Sequence, residues 1–140
     1  MEIKDYDEAT VEAVAAHIRK IIELLGEDPT REGLLKTPVR AAKALYYASN
    51  GYRIDPSALM RQAIFEYNGS QMIIVRDIEF YSMCEHHLVP FFGHAHVVYI
   101  PAADGRICGI SKLARLVDAF AKRPQVQERL TSQIADTLVA

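Results

Sequence analysis

Helical periodicity dominates both ends of this chain. Between residues 72 and 109 it gives way to the two-residue alternation of strands, and this helix–strand–helix order limits the folds open to it. Behind a capping Asp7, Val11, Val14, Ile18, Ile21, Leu24 and Leu25 recur at helical spacing, with Gly26 as the stop. Asp28-Pro29-Thr30 reads as a turn, and residues 32–35 as a short helical piece. Thr37-Pro38 has the form of an N-cap followed by proline at the first helical position. Val39, Ala42, Leu45 and Tyr46 give that helix its apolar stripe, and Ser49-Asn50-Gly51 ends it. Asp55-Pro56 opens another short helix.

After Gly69 the pattern predicts strands over residues 72–75 and 78–81. In residues 93–100, Ala95, Val97 and Tyr99 alternate with His94, His96 and Val98, which predicts a third strand. A turn at residues 103–106 leads to a short strand over 106–109. Ser111 is placed to cap a helix running to about Lys122, and Pro124 to start a last helix striped by Val126, Leu130, Ile134 and Leu138. The expectation is an α+β fold with a mainly antiparallel sheet, not a βαβ repeat. Residues 1–68 form its helical region and 69–140 its sheet region.

Composition excludes several functions. The 140 residues suit one domain, and half are apolar, enough to bury a core. A net charge of −2 gives no bulk attraction to nucleic acid or to an anionic membrane, so neither is expected as a partner. An anionic ligand would need a local basic cluster. No apolar run approaches the roughly 20 residues of a membrane span, and residues 1–10 are acidic, unlike a signal peptide. Two cysteines are too few for a disulfide framework. A reducing, cytoplasmic setting is expected, with Cys84 available as a thiolate.

The densest chemistry lies in Cys84-Glu85-His86-His87. Cys-x-x-His spacing lets one turn of loop offer a thiolate and an imidazole to one zinc ion. His86, between them, is expected to point elsewhere and serve proton transfer, which imidazole performs near neutral pH. Glu85 is a candidate acceptor orienting an imidazole. A structural cysteine beside surface histidines fits the spacing equally well. A structural zinc needs four protein ligands, and no other compact Cys/His pair is present. An open catalytic site with three protein ligands fits better, and needs one more.

Ser111-Lys112 follows Gly109 at a strand-to-helix junction, where amide groups and a lysine make an anion site, with Arg115 on the same face. A capped helix with solvated cations has the same pattern. The Gln127-Glu128 pair offers a carboxylate able to accept hydrogen bonds from N1–H and the 2-amino group of guanine; a solvated surface Glu is the ordinary alternative. Arg40 and Lys43 face either phosphate or water. His94 and His96 read as an exposed strand face, and Cys108 as core.

Several strings in one order, from Glu8 onward, resemble the GTP cyclohydrolase I family. They are Arg31-Glu32-Gly33-Leu34-Leu35-Lys36-Thr37-Pro38 with Arg40 and Lys43, then Phe80-Tyr81-Ser82-Met83-Cys84-Glu85-His86-His87-Leu88-Val89-Pro90. Gly93 and Tyr99-Ile100-Pro101 follow, then Gly109-Ile110-Ser111-Lys112-Leu113-Ala114-Arg115 and Arg123-Pro124-Gln125-Val126-Gln127-Glu128-Arg129-Leu130-Thr131. The resemblance implies the tunnelling fold, in which sheets from several subunits form a barrel with helices outside, and a homodecamer with active sites at subunit boundaries. It implies zinc-dependent hydrolysis of GTP to 7,8-dihydroneopterin triphosphate and formate, the first step of folate- or tetrahydrobiopterin-type pterin biosynthesis.

Carried over by residue, Cys84 and His87 match zinc ligands and His86 the catalytic histidine. Ser111, Lys112 and Arg115 match residues around ribose and triphosphate, Glu128 with Gln127 the guanine anchor, and Arg40 and Lys43 basic residues near phosphate. The family's chains continue beyond the position of Ala140 with a second cysteine ligand, a histidine and an arginine, and Cys108 does not match that cysteine. Ring opening by these 140 residues alone is therefore not expected. The competing readings are a catalytically inactive guanine-nucleotide module, a small structural zinc protein, and another tunnelling-fold enzyme such as a nitrile reductase. The paired histidines after Cys84 argue against the last.

Overall fold

The computed structural model describes residues 6–140. Along the chain run α1 (Glu8–Leu24), α2 (Thr37–Ala48), a 3-10 turn (Asn50–Arg53), α3 (Pro56–Arg61), β1 (Ile64–Glu66) and β2 (Ile73–Cys84). They are followed by β3 (Pro90–Tyr99), β4 (Arg106–Cys108), α4 (Ile110–Ala121), β5 (Pro124–Gln125) and α5 (Gln127–Val139). The class is α+β, with a small, mainly antiparallel sheet.

Two compact units divide at 49/50, Met1–Ser49 and Asn50–Ala140, where the sequence pattern placed the change of character at 69. The division falls earlier because α3 packs on α4, and β1 pairs with β4 in the later unit.

In the first unit α1 and α2 meet through Val11, Ala15, Ala42 and Tyr46. Helix α1 closes with the amide of Glu27 on the carbonyl of Ile22 and that of Gly26 on Glu23. Gly26 supplies the left-handed turn this motif requires (φ +89°). Residues 32–35 form turns and not the expected helical piece, the amides of Leu34 and Leu35 donating back to Arg31 carbonyl. Thr37 is the first residue of α2 and not its cap, which is Lys36; Thr37 hydroxyl instead donates to Gly33 carbonyl.

The second unit is built on the β2–β3 antiparallel hairpin, with β5 added parallel to β2 at Met83 and Cys84. The expected strands over 72–75 and 78–81 are one strand interrupted by a bulge between Val75 and Ile78. The bulge matters because the side-chain period of a strand is two. Val75 faces the core, and uninterrupted alternation would send Asp77 and Glu79 inward after it. The extra residue turns Ile78 and Phe80 inward instead.

On that face α4 and α5 pack through Leu113, Leu116, Val117, Phe120, Leu130 and Ile134, against Ile78, Val97, Ala95 and Tyr99. Leu113, Leu116 and Val117 are wholly buried, each contributing about 1.5–3 kcal/mol of transfer free energy.

Two further boundaries differ from the pattern. Gly109, not Ser111, caps α4. Pro124 lies in β5, so α5 begins three residues later, at Gln127. The β1–β4 ribbon was not expected: the three residues of β1 are exposed and show no buried alternation. Among the described residues, no helix is long and apolar enough to cross a membrane.

Candidate functional site

Strand β2 ends at Cys84 and β3 begins at Pro90, so residues 85–89 form the hairpin tip. The Cys84 amide donates to Val89 carbonyl at 2.8 Å, and Cys84 carbonyl accepts from Leu88 amide at 2.8 Å and from His87 amide at 3.4 Å. To close so tightly, Leu88 takes a left-handed conformation, φ +56°. A bulky residue there costs on the order of 1–2 kcal/mol, a strain that persists only where the surroundings enforce it.

The tip gathers the chemistry of the central motif. Cys84 Sγ lies 3.8 Å from His87 Nδ1 and 4.0 Å from His86 Nδ1. The two rings stand edge to face with centroids 6.1 Å apart. Ligands at about 2.3 and 2.0–2.1 Å from one tetrahedral zinc would stand roughly 3.5 Å from each other, so the Cys84–His87 pair fits such an ion in span and donor type. His86 had been expected to point away, yet its ring shares the thiol's side. Among the described residues no three His, Cys, Asp or Glu converge, so the pair supplies two ligands and not a complete shell. Cys84 and Cys108 are both free thiols.

Glu85 does not orient an imidazole. Its carboxylate meets Arg129 on α5, Oε2 to Nη1 at 2.9 Å, and its amide donates to Gln125 carbonyl at 3.0 Å. Gln125 is fully buried, with its amide shared between Phe120 carbonyl and Gln133 Oε1, both at 2.8 Å. Arg129 Nε donates to Gln125 Oε1 at 3.0 Å. Neither Gln125 nor Arg129 stood out in the sequence as a functional candidate. Their i,i+4 spacing was visible, but the partner they share lies some forty positions away.

The remaining candidates separate into groups. Gln127 and Glu128 open α5 directly after β5, which pairs with Cys84 at Gln125, so they lie at the hairpin-tip end of the sheet. Glu128 is exposed, and Gln127 lines a cleft of about 450 Å³ between β3 and α5.

Ser111, Lys112 and Arg115 sit in the first turns of α4, at the other end. Just before them, Cys108 meets the Tyr99 hydroxyl, its amide donating at 3.3 Å and its sulfur 3.7 Å away. Tyr99 and Pro90 are the two ends of β3, ~30 Å apart at strand rise. Lys112 Nζ donates to Gln62 Oε1 at 2.9 Å, while Ser111 and Arg115 are exposed. Arg40 and Lys43 belong to the first unit, Arg40 exposed and Lys43 over the Tyr6 ring at 5.1 Å. His94 and His96 lie on the exposed face of β3, where His96 Nδ1 accepts the Asp77 amide at 3.0 Å.

Residues 14–140 match the family model described as GTP cyclohydrolase I. Among curated relatives, GTP cyclohydrolase 1 of Porphyromonas gingivalis is 58% identical over 122 residues, 87% of this chain and 62% of that protein. GTP cyclohydrolase 1 of Campylobacter lari is 52% identical over 122 residues, 87% of this chain and 63% of its own. The Corynebacterium glutamicum protein of that name is 53% identical over 137 residues, 98% of this chain and 68% of its own. The chain thus spans about three fifths of the length of the first two relatives.

Proposed function

The chain belongs to the GTP cyclohydrolase I family, and on that premise we propose that it takes part in zinc-dependent hydrolysis of GTP to 7,8-dihydroneopterin triphosphate and formate, the opening step of folate- or tetrahydrobiopterin-type pterin biosynthesis. The observation that carries this reading is the Cys84–His87 pair, 3.8 Å apart at a strained hairpin tip, with the Gln127–Glu128 helix start at the same end of the sheet. A zinc ion there would act as a Lewis acid and lower the pKa of a bound water toward neutrality.

The chain's own residues supply the rest. Glu128 accepts from N1–H and the 2-amino group of guanine, and Gln127 stands beside it. His86, whose ring shares the thiol's side, donates a proton to N7 as C8 is attacked, making the ring a better electrophile. Water added at C8 opens the ring at the C8–N9 bond and leaves a formamide on N7. A second water cleaves C8–N7 and releases C8 as formate. The ribose carbons, rearranged to a ketone at C2′, reclose on N7 with loss of one water to give the pterin. Ser111, Lys112 and Arg115 hold ribose and triphosphate, with Arg40 and Lys43 as further phosphate contacts.

Ser111 and Lys112 open α4, while the hairpin tip lies beyond the far end of that helix, where β5 pairs with Cys84, and this separation supports sites shared between subunits. A homodecamer in the cytoplasm with composite sites accommodates this, and a second copy or a longer chain would complete the zinc shell. A catalytically inactive guanine-nucleotide module remains the second reading, because two ligands hold zinc weakly.

The test is formate release from GTP labelled at C8. It compares these 140 residues with the same residues followed by the C-terminal remainder of the Porphyromonas gingivalis relative. Labelled formate from the longer protein, lost in His86→Ala, is expected. GTP binding without formate release from the longer protein would favour the inactive module.

A further inference from the structure

We infer that Gln125 and Arg129 are positioning residues that hold the Cys84–His87 loop in place against the start of α5. The contacts form a closed ring. Glu85 amide donates to Gln125 carbonyl at 3.0 Å, Gln125 Oε1 accepts from Arg129 Nε at 3.0 Å, and Arg129 Nη1 meets Glu85 Oε2 at 2.9 Å. Arg129 Nη2 also donates to Pro124 carbonyl at 2.6 Å, so one guanidinium grips the strand, the buried amide and the loop together.

Each part of the ring has a reason to be rigid. Gln125 is fully buried with both amide hydrogens and its oxygen engaged, so it has one low-energy orientation. Arg129 is carried on α5 beside Leu130, which is buried in the core with Ile134. A planar fork with fixed donors transmits that rigidity where a flexible ammonium would not. Glu85 lies between Cys84 and His86, and the ring holds it through both main chain and side chain. It therefore fixes the backbone from which Cys84, His86 and His87 project. Their side chains take no part in the ring and stay available to a ligand.

The ring also spans the two halves of the proposed reaction centre, and here the inference rests on that reading. Arg129 adjoins Glu128, the proposed guanine anchor, while Glu85 adjoins the proposed zinc ligand Cys84. The ring thus fixes the distance between base and metal, which governs rate steeply.

The deciding experiment is amide hydrogen exchange on the metal-free 140-residue chain, which needs neither zinc nor GTP. Arg129→Ala and Glu85→Gln are expected to speed exchange at Cys84 and Leu88 by at least about tenfold, leaving α4 amides unchanged, with Arg129→Lys falling between. Unchanged exchange in the loop would overturn the inference.

Cobalt(II) titration, followed by thiolate-to-cobalt absorption, separates positioning from mere stability. Arg129→Ala should weaken cobalt binding about 10–100-fold, as loss of outer-shell support does elsewhere, with partial recovery in Arg129→Lys. Faster loop exchange with undiminished cobalt affinity would overturn the positioning role. A parent chain that binds no cobalt would instead refute the metal reading, while exchange still decides whether the ring holds the loop.

Discussion

The amide of Asp77 donates to Nδ1 of His96 at 3.0 Å, across the hairpin at the bulge where β2 changes its buried face. Asp77 has φ +58° there, the left-handed region that short polar residues tolerate and branched ones do not. Asp77→Val should therefore destabilise the chain by about 1–2 kcal/mol, and Asp77→Gly by much less. His96→Ala, which leaves the amide to water, should cost about 0.5–1.5 kcal/mol. Urea midpoints of the three variants check this, and equal midpoints for Val and Gly would remove the conformational argument.

Tyr99 gives a pH signature. Burial, with Cys108 against its hydroxyl, pushes its phenol up to about 12. A raised phenol favours the neutral form in the folded state. The stability it contributes is complete below pH ~10, the unfolded value, and is lost as pH rises from there toward 12. Tyr99→Phe should flatten that part of the alkaline stability profile, measured by thermal unfolding at stepped pH. A profile unchanged by the substitution would count against the assignment.

Gly51 marks where α4 ends against the 3-10 turn. Its amide donates to Lys122 carbonyl at 2.9 Å, and a Cβ there would overlap the carbonyls of Ala119 and Lys122. Gly51→Ala should cost more than about 2 kcal/mol, in the range of overpacked sites. Gly26→Ala meets no neighbour and should lose only about 1 kcal/mol, through its left-handed backbone. Thermal melts of both variants decide whether sterics or backbone conformation dominates.

Glu128→Gln should weaken GTP binding roughly 10–100-fold, since a charge-assisted hydrogen bond contributes about 1.5–3 kcal/mol. Bound metal should be unaffected. Equilibrium dialysis against GTP and GDP, beside ATP, tests both affinity and base preference. Retained GTP affinity in the variant would move the guanine anchor elsewhere.

The helices were legible because their apolar stripes are long and their punctuation is local. Asp55 caps α3 through its own side chain, accepting from Ala58 amide at 3.1 Å, and Gly26 ends α1 through its own backbone. The bulge at Asp77 and the β5 strand were not legible, because both are defined by a partner strand and not by their own residues. A proline that reads as a helix start became a strand because its neighbour Gln125 pairs with Cys84. The candidate site divides in the same way. Cys84, His86 and His87 are adjacent in sequence and adjacent in space. The Glu85–Arg129 contact joins residues far apart in the chain, and the separation of Ser111, Lys112 and Arg115 from the hairpin tip depends on the path of β3.

The chemistry proposed for the hairpin tip depends on Cys84 and His87 holding a metal there. It is tested most directly by titrating the chain with cobalt(II) and following thiolate-to-cobalt absorption in the parent, Cys84→Ser, His87→Ala and Cys108→Ser. The expected absorption band is abolished by Cys84→Ser, weakened by His87→Ala and kept in full by Cys108→Ser. A band that survives Cys84→Ser and disappears with Cys108→Ser would contradict it.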